Sequence, residues 1–385
     1  MRIAIITFFD NGNYGSELQS LAMSYYLSKK GDDVTLCHLK APGKFIRLLE
    51  VLADKVRLTF DTLFSKEVKL YLADRTANVN KQRSISLELK KYIHSFVTRH
   101  IVTNRISRWN IPNRNFDAYI CGSDQIWSAL KLPINPQLFL NRVKPNCKIA
   151  YAPSMGLDTL PLYYINKTKK YISDFKYLSV REISAKKALK EHMELDALQV
   201  LDPTMLVGTE MWNGLLIKER KIVLDYEYIF GYFLGEISDD VIRCINEIAE
   251  GREVIILPYE EDSEKVINGK YLLADPLDFV NLIKNAKYVL TDSFHGSVFS
   301  VLYDRQFVVT KRTHVRRVAQ TSRIISLLSK FGLEKQYCQH TEEMIDALKT
   351  TIDYSSKSQI LQDEQKISRD FIDNALIEIK NDLKE

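Results

Sequence analysis

The sequence predicts an α/β protein built from two Rossmann-like, doubly wound domains that face a cleft. At the N-terminus, apolar residues 2–9 precede a polar loop at residues 10–16 and a helical pattern at residues 17–30. Over residues 228–309, short apolar runs alternate with further helical patterns. Such alternation is typical of a parallel sheet covered by helices. Because 385 residues exceed one ordinary domain, we expect two.

Composition narrows the class of protein. No apolar stretch approaches the ~20 residues that span a bilayer. Residues 1–9 run into an Asn and Gly turn without the small-residue cleavage site of a signal peptide. The five cysteines are scattered and include no CxxC pair, which indicates neither a disulfide framework nor a zinc site. We therefore expect a cytoplasmic protein that binds no metal.

The N-terminal elements predict a βαβ unit. Apolar residues recur at helical spacing within residues 17–30, and Gly31 ends this helix where a left-handed residue is commonly needed. Residues 33–38 form the second predicted strand. The loop before the helix contains two glycines without the GxGxxG spacing, which argues against NAD or FAD at this site.

Residues 41–115 are interpreted as a basic, mostly helical insertion. They contain 15 Lys or Arg against 6 Asp or Glu, in a chain whose net charge is +5. Such a segment suits an anionic membrane surface, a phosphorylated substrate or an ordinary solvated helix face. No nucleic-acid-binding motif accompanies it, so we expect no nucleic acid partner. Peripheral contact with the inner face of the cytoplasmic membrane stays open beside ordinary core packing.

The chain divides near residues 203–227. We expect an N-terminal domain at residues 1–210 and a C-terminal domain at residues 211–385, whose last helix could pack back on the first domain. The strands predicted before the break are residues 116–121, 147–152, 177–180 and 199–201, with a helix at residues 184–192. The strands predicted after it are residues 228–234, 253–257, 288–290 and 307–309, with helices at residues 239–250, 276–285, 296–303 and 363–384.

Polar loops follow four predicted strands, at residues 11–16, 122–127, 152–156 and 291–296. The last loop leads into a helix whose first N–H groups favour an anion. His295 could donate and accept protons near neutrality, since imidazole has an ordinary pKa of about 6.5, and Asp292 could orient it or act on a hydroxyl. Equally, Ser293 could be only a helix cap and His295 a packing residue.

Four motifs occur in a fixed order along the chain. They are Gly-Ser-Asp-Gln-Ile-Trp at residues 122–127, Ser-Val-Arg-Glu at residues 179–182, Asp-Pro-Thr at residues 202–204 and Thr-Asp-Ser-Phe-His-Gly at residues 291–296. With these motifs the chain resembles the polysaccharide pyruvyl transferase family over almost its whole length. The resemblance implies a glycosyltransferase-B-like fold. It also implies transfer of pyruvate from phosphoenolpyruvate to a sugar as a cyclic ketal, with release of phosphate.

This resemblance implies roles for particular residues. His295 and Asp292 are the candidate catalytic residues. Phosphoenolpyruvate carries a phosphate and a carboxylate, so its site needs fixed cations and backbone donors. The candidate donor-binding residues are Arg181, Ser293, Gly296, Ser297, Lys311, Arg312 and Arg323. The candidate acceptor-binding residues are Asn13, Tyr14, Gly15, Gly122, Ser123, Asp124, Gln125 and Trp127, although a Trp at a strand end is more often part of the core.

The chain departs from the family pattern at one position. Some members carry Arg-Leu-His-Gly where this chain has Ser293-Phe294-His295-Gly296. Ser293 cannot supply the positive charge of that arginine, so Arg181 or Arg312 would have to replace it, or the donor differs. The structural alternative for the basic residues after residue 309 is a solvated helix face with ion pairs.

The sequence is compatible with three functions. The favoured one is pyruvyl transfer to a saccharide of a capsule, exopolysaccharide or other cell-surface glycan precursor. Such an acceptor would be lipid-linked and would lie at the cytoplasmic membrane face, and no cofactor beyond the donor substrate is expected. The alternatives are a nucleotide-sugar-dependent glycosyltransferase of the same architecture and a non-catalytic binding protein in a glycan-assembly complex.

Overall fold

The protein folds into two parallel β-sheets with helices packed on them. The computed structural model describes residues 1–39, 87–106, 116–129, 134–157, 159–258, 266–312 and 321–384. In the described residues, every strand pairs with its neighbours in parallel, as alternating strand and helix patterns require. The α/β prediction is therefore confirmed.

The first sheet has seven strands in the order β3-β2-β1-β4-β5-β6-β7. Its strands are β1 Arg2–Ile6, β2 Asp33–Leu39, β3 Thr103–Ile106, β4 Ala118–Cys121, β5 Lys148–Ala150, β6 Tyr177–Val180 and β7 Leu198–Gln199. The α-helices described in this part are α1 Tyr14–Ser28, α2 Leu87–His100, α3 Leu162–Ile172 and α4 Ile183–Met193. Apolar side chains such as Ile3 and Ile5 are fully buried between the sheet and its helices.

The second sheet has six strands in the order β10-β9-β8-β11-β12-β13. Its strands are β8 Tyr228–Tyr232, β9 Glu253–Leu257, β10 Lys270–Tyr271, β11 Tyr288–Thr291, β12 Gln306–Thr310 and β13 Tyr337–Cys338. The helices from residue 203 onward are α5 Pro203–Leu206, α6 Gly208–Glu219, α7 Asp239–Ile248, α8 Pro276–Asn285, α9 Phe294–Leu302, α10 Ser322–Lys330, α11 Thr341–Lys349 and α12 Lys357–Asp382.

The basic insertion is not wholly helical where the structure describes it. After α2 the chain forms β3, which pairs with β2 so that Leu36 lies opposite Thr103. The sequence predicts a mostly helical segment here, and parallel pairing with β2 gives these four residues an extended conformation that their own sequence pattern does not require. Most of the predicted insertion, at residues 41–86 and 107–115, lies outside the described residues.

The strand orders fix where a ligand can bind. In the first sheet the order reverses between β1 and β4, and in the second sheet it reverses between β8 and β11. A crevice opens beyond the carboxyl ends of the strands at such a reversal, because the two loops diverge to opposite faces of the sheet. Both reversals are flanked by polar loops, and these loops build the site described below.

The two halves of the chain pack on each other through α1 and α12. Tyr14 stacks on Phe279 with ring centroids 5.0 Å apart and donates a hydrogen bond to the carbonyl of Ala274 at 2.9 Å. The C-terminal helix α12 reaches the first sheet, where Ser368 Oγ accepts the backbone N–H of Leu201 at 2.9 Å. The expected domain boundary at residue 210 falls inside α6, so the exact division into domains remains a prediction.

No helix in the described part of the chain is long and apolar enough to cross a membrane.

Candidate functional site

A polar cavity of about 270 Å³ lies between the two sheets, at the strand-end loops of both. One wall comes from the loops after β1 and β4, and the other comes from the loops after β8, β11 and β12. The described residues that line it are Phe8, Asn11, Asn13, Ser16, Asp124, Gln125, Leu234, Ser293, Phe294, His295, Arg312 and Arg323. Since parallel strands bring their carboxyl ends to one edge, loops far apart in sequence converge here.

His295 lies on the first turn of α9. Ser293 is the N-cap of this helix, and its hydroxyl accepts the N–H of Gly296 at 3.3 Å. The imidazole is only 6% exposed. Its Nδ1 edge lies against Gly15, where a Cβ atom would come within 1.9 Å of Nδ1. Only glycine at position 15 therefore leaves room for His295 in this orientation.

Asp202 holds the other edge of the imidazole. Its Oδ2 lies 3.6 Å from His295 Nε2 and accepts a hydrogen bond from Arg181 Nη1 at 2.6 Å. Its Oδ1 accepts the N–H and the hydroxyl of Thr204, as expected for the N-cap of α5. Burial alone would raise the pKa of Asp202, but His295 and Arg181 outweigh it and hold the pKa well below its usual range. An ionised carboxylate therefore lies behind the imidazole.

Two arginines from separate elements lie over the ring of Phe294, and the charge of a third, Arg312, acts on one of them. The guanidinium carbons of Arg181 and Arg323 lie 4.3 and 5.7 Å from the centre of its ring. Burial, followed by the charges of Arg181 and Arg312, lowers the pKa of Arg323 to about 9. Burial is the larger cause, and at Arg323 the two neighbouring cations add repulsion, while the carboxylates of Glu182 and Asp124 act against it. An anion in the cavity would relieve that repulsion.

The opposite wall carries neutral polar groups and one carboxylate. Asn13 is the N-cap of α1 and accepts the N–H of Gly15 at 2.9 Å. Asp124 Oδ2 accepts the hydroxyl of Ser16 at 2.6 Å, which joins the loop after β4 to the start of α1. Gln125 packs against Gly156, where a Cβ would come within 2.6 Å of its amide nitrogen. This wall offers donors and acceptors of the kind that bind sugar hydroxyls.

Several predicted donor-binding residues do not line the cavity. Arg181 lies behind Phe294 and is 5% exposed. Gly296 is placed for packing, because a Cβ would meet Thr291 Oγ1 at 2.6 Å. Ser297 is fully buried and donates its hydroxyl to the carbonyl of Ser293 at 2.9 Å. Lys311 is exposed and lies outside the cavity lining. Of the predicted donor-binding residues, Ser293, Arg312 and Arg323 reach the cavity.

The carboxylate of Asp292 is held by two backbone N–H groups and by Arg312. Its Oδ1 accepts the N–H of Leu234 at 2.7 Å, and its Oδ2 accepts the N–H of Gly235 at 2.8 Å. Arg312 Nε lies 3.4 Å from Oδ2, and Arg312 Nη2 donates to the carbonyl of Asp292 at 3.0 Å. The carboxylate thus accepts two backbone N–H groups and forms an ion pair with Arg312, and its expected catalytic role stays a prediction.

Half of the predicted acceptor-binding residues turn inward instead. Tyr14 is buried against the second half of the chain, as described above. Trp127 is 1% exposed, stacks on Phe139 at 5.3 Å and donates its indole N–H to the carbonyl of Leu138. Ser123 is fully buried, and its hydroxyl lies within hydrogen-bond distance of two acceptors, Ala152 O at 3.1 Å and Asp202 Oδ2 at 3.2 Å, to either of which its single proton can be donated. These residues shape the site without lining it.

Gly122 also serves packing, because a Cβ there would meet the carbonyl oxygen of Tyr151 at 2.1 Å. Asn13, Asp124 and Gln125 do line the cavity. Gly15 contributes through the space it leaves for His295.

Sequence reasoning missed two contributors to the site. Asp202 belongs to the Asp-Pro-Thr motif, but its contact with His295 joins residues 93 positions apart, which no local pattern reveals. Its position before a proline at the start of α5 was a signal for a helix cap only. Ser16 was read as part of a turn, and its bond to Asp124 depends on the adjacency of β1 and β4.

Among the described residues, no group of three His, Cys, Asp or Glu side chains has the arrangement of a metal site.

Comparisons with known proteins identify a family and a fold. The family model described as "Polysaccharide pyruvyl transferase" matches residues 13–314. The fold is similar to UDP-GlcNAc 2-epimerase from Neisseria meningitidis, with a TM-score of 0.50, 11% identity and 100% of each chain covered.

A UDP-N-acetylglucosamine 2-epimerase from Rickettsia bellii has a TM-score of 0.51 and 11% identity, with 99% of this chain and 97% of that chain covered. The glycosyltransferase SnogD from Streptomyces nogalater is less similar, with a TM-score of 0.43 and 9% identity over 98% of each chain. A comparison with curated proteins found no match. At these identities the structural likeness shows the fold alone, a glycosyltransferase-B-like pair of Rossmann-like sheets.

Proposed function

The chain belongs to the polysaccharide pyruvyl transferase family and is a transferase, and on that premise we propose that it transfers pyruvate from phosphoenolpyruvate to a saccharide as a cyclic ketal. The observation that carries the proposal is the meeting of a buried group of arginines with an imidazole in one cavity. Phosphate leaves as the second product. The acceptor is the sugar of a cell-surface glycan precursor, carried on a lipid at the cytoplasmic membrane face.

The arginines supply the charge that this donor needs. Phosphoenolpyruvate carries a phosphate and a carboxylate, and guanidinium groups bind both in a planar, two-point geometry. Arg312 and Arg323 line the cavity from the second half of the chain. They replace the arginine that some family members carry at the position of Ser293. The first turn of α9 adds backbone N–H groups at the same place.

His295 is the proton donor in this proposal. Ketal formation converts the methylene carbon of the donor to a methyl group, so an acid must protonate that carbon. A first sugar hydroxyl then bonds to the adjacent carbon, and a second hydroxyl displaces phosphate from it. Of the two hydroxyl protons, one replaces the proton given to the methyl group and the other leaves with phosphate. Asp202 and Arg181 are positioning residues, since the carboxylate of Asp202 lies against the Nε2 edge of the imidazole and Arg181 donates a hydrogen bond to that carboxylate.

The acceptor binds against the loops after β1 and β4. Asn13, Ser16 and Gln125 present amide and hydroxyl groups to the cavity, and these groups exchange hydrogen bonds with sugar hydroxyls. Asp292 contributes indirectly, because it fixes Arg312 and the loop at residues 234–235.

Ligand-dependent thermal unfolding tests the donor. Phosphoenolpyruvate should raise the unfolding temperature of the wild-type protein in a concentration-dependent manner, because it binds only the folded state. UDP and GDP should not. Stabilisation by a nucleoside diphosphate instead would favour a nucleotide-sugar-dependent glycosyltransferase, and no response to either would favour a non-catalytic binding protein.

Two variants that replace a cationic side chain by methionine form a matched pair. Arg323→Met removes a cation that lines the cavity and should abolish the stabilisation by phosphoenolpyruvate. Lys311→Met removes an exposed cation outside the cavity lining and should keep it. The product is checked by mass spectrometry of lipid-linked oligosaccharides, in which the pyruvate ketal increment should appear only with active protein.

A further inference from the structure

We propose that Asp124 is the general base that takes the proton from the first attacking hydroxyl of the saccharide acceptor. The assignment rests on the proposed function and adds to it the missing proton acceptor. It replaces Asp292, which the sequence suggested for work on a hydroxyl.

The composition of the cavity singles out Asp124. It is the one acidic side chain among the described residues that line the cavity. Other carboxylates nearby are committed elsewhere. Asp292 binds the N–H groups of two residues and Arg312, and Asp202 binds Thr204 and Arg181. A hydroxyl entering the cavity therefore meets a single carboxylate.

Glu17, on the first turn of α1, is also committed. It is fully buried and accepts the N–H groups of Asp10 and Asn11 at 2.9 and 3.2 Å. Burial raises its pKa to about 8, and the negative charge of Asp124 adds to that rise. Glu17 therefore favours the neutral form at neutral pH, and it does not line the cavity.

The backbone of Asp124 adopts a conformation that non-glycine residues rarely show. Its φ is 59° and its ψ is −176°, a region populated almost entirely by glycine. The carbonyl of Asp124 accepts the N–H of Ile126 and of Ser154, each at 2.8 Å, and these bonds hold the residue in place. Such strain persists only where the surrounding structure imposes it, and it is concentrated at functional sites. Here it directs the carboxylate towards the cavity.

The carboxylate is anchored at the wall of the cavity. Oδ2 accepts the hydroxyl of Ser16 at 2.6 Å, and Oδ1 accepts the N–H of Gln125 at 2.7 Å. Burial and the neighbouring arginines lower the pKa of Arg323, whereas Asp124 is one of two carboxylates that raise it. Asp124 therefore lies within electrostatic reach of the group that would bind the donor.

The protons balance with Asp124 and His295 as a pair. Asp124 takes the proton of the first hydroxyl as that oxygen bonds to C2 of phosphoenolpyruvate, and the imidazolium of His295 protonates C3. The second hydroxyl then bonds to C2 while the bond from C2 to the phosphate oxygen breaks, and neutral His295 takes the second proton. The departing phosphate takes the proton from Asp124 and leaves as hydrogen phosphate. Both residues return to their starting forms.

The test compares Asp124→Asn with Asp10→Asn. Asparagine keeps the size of the side chain and an oxygen for Ser16 but cannot take a proton. Asp10 is a neighbouring aspartate that contacts His94 at 3.1 Å and lies outside the cavity lining, so its variant controls for loss of a nearby charge. The substrates are phosphoenolpyruvate and the methyl glycosides of galactose, mannose and N-acetylmannosamine, and the readout is phosphate release.

We expect Asp124→Asn to keep phosphoenolpyruvate affinity within about threefold and to lower the rate of phosphate release roughly 100-fold or more, the usual effect of losing a general base. The rise of rate with pH on the acidic side of the wild-type profile should disappear, and Asp124→Glu should restore part of it. Asp10→Asn should retain the wild-type rate and profile.

Three results would overturn the assignment. If Asp124→Asn releases phosphate at the wild-type rate with an unchanged pH profile, Asp124 is not the base, although the proposed function stands. If it instead loses phosphoenolpyruvate binding, Asp124 shapes the donor site. If the wild-type protein neither binds phosphoenolpyruvate nor releases phosphate with any of the three glycosides, the proposed function fails and this assignment fails with it.

Discussion

The loop after β4, residues 122–127, and the loop after β11, residues 292–296, contain similar residues at equivalent places in their sheets. Each follows a strand beside the reversal of strand order, and each combines Asp, Ser and Gly. In the first loop, Asp124 reaches the cavity while Trp127 packs in the core. In the second loop the aspartate, Asp292, is enclosed, and His295 reaches the cavity instead.

The difference arises from the backbone that each aspartate meets. The backbone N–H groups of Leu234 and Gly235 both donate to the carboxylate of Asp292, so this side chain fixes the loop at residues 234–235. Asp124 accepts the hydroxyl of Ser16 and the N–H of Gln125 and lines the cavity. Residue type and topological place are therefore insufficient to assign a catalytic role, because the surrounding backbone decides which carboxylate lies at the cavity wall.

The largest effect on rate is expected from His295→Ala. The rate of phosphate release from phosphoenolpyruvate should fall by roughly 100- to 10,000-fold, because the proton donor is lost. The fold should persist, since Asp202 keeps its bonds to Arg181 and Thr204. The measurements are phosphate release with the methyl glycosides and the unfolding temperature. An unchanged rate would remove His295 from the reaction and leave the second loop without a catalytic group.

Gly15→Ala is expected to have the next largest effect. The new Cβ would occupy the space of His295 Nδ1, so the imidazole must leave its present position between Gly15 and Asp202. We expect the rate to fall about 100-fold, as a shift of about 1 Å in a catalytic group can do. Gly214→Ala is the control, because nothing lies within 4 Å of a Cβ there and the residue is helical.

The control should retain the full rate and gain about 0.5–1 kcal/mol in unfolding free energy, as is usual for Gly to Ala in a helix. Wild-type activity in Gly15→Ala would mean that the reaction tolerates another position of the imidazole. The contact between Gly15 and His295 would then not be required for catalysis.

Asp292→Asn should change stability more than rate. Its amide nitrogen would face a backbone N–H that now donates to a carboxylate oxygen, so one buried donor loses its acceptor. We expect a loss of about 2–4 kcal/mol in unfolding free energy, measured by denaturant unfolding, and a rate within about tenfold of wild type. The opposite pattern, normal stability with a 100-fold slower reaction, would restore Asp292 as a catalytic residue.

Ser297→Ala should have the smallest effect. Its hydroxyl bonds only to the backbone carbonyl of Ser293 among the contacts described, and the side chain is fully buried. Phosphoenolpyruvate affinity and rate should stay within about twofold, and unfolding free energy should fall by about 1 kcal/mol. A large loss of donor affinity in the thermal unfolding assay would place Ser297 at the donor site, as the sequence suggested.

Much of the fold was predictable from residue patterns. Strands Tyr177–Val180 and Glu253–Leu257 and helix Pro276–Asn285 have the bounds that the sequence predicts, because buried parallel strands are continuous apolar runs and helices carry a 3.6-residue period. The strand Thr103–Ile106 was missed because it is an edge strand whose extended form depends on its partner β2.

Residue patterns alone were enough to predict the α/β class, the family and the loops that build the site, because each depends on local periodicity or on contiguous motifs. They also indicated His295, whose place after a strand and at the start of a helix is a local property. Which neighbours of these residues reach the cavity follows instead from the packing of distant segments. The convergence of Asp202 and Gly15 on His295, and the exchange of roles between Asp124 and Asp292, depend on strand order and on backbone donors from distant segments. No local pattern encodes such contacts, since burial and hydrogen-bond partners are set by the packing of the whole chain.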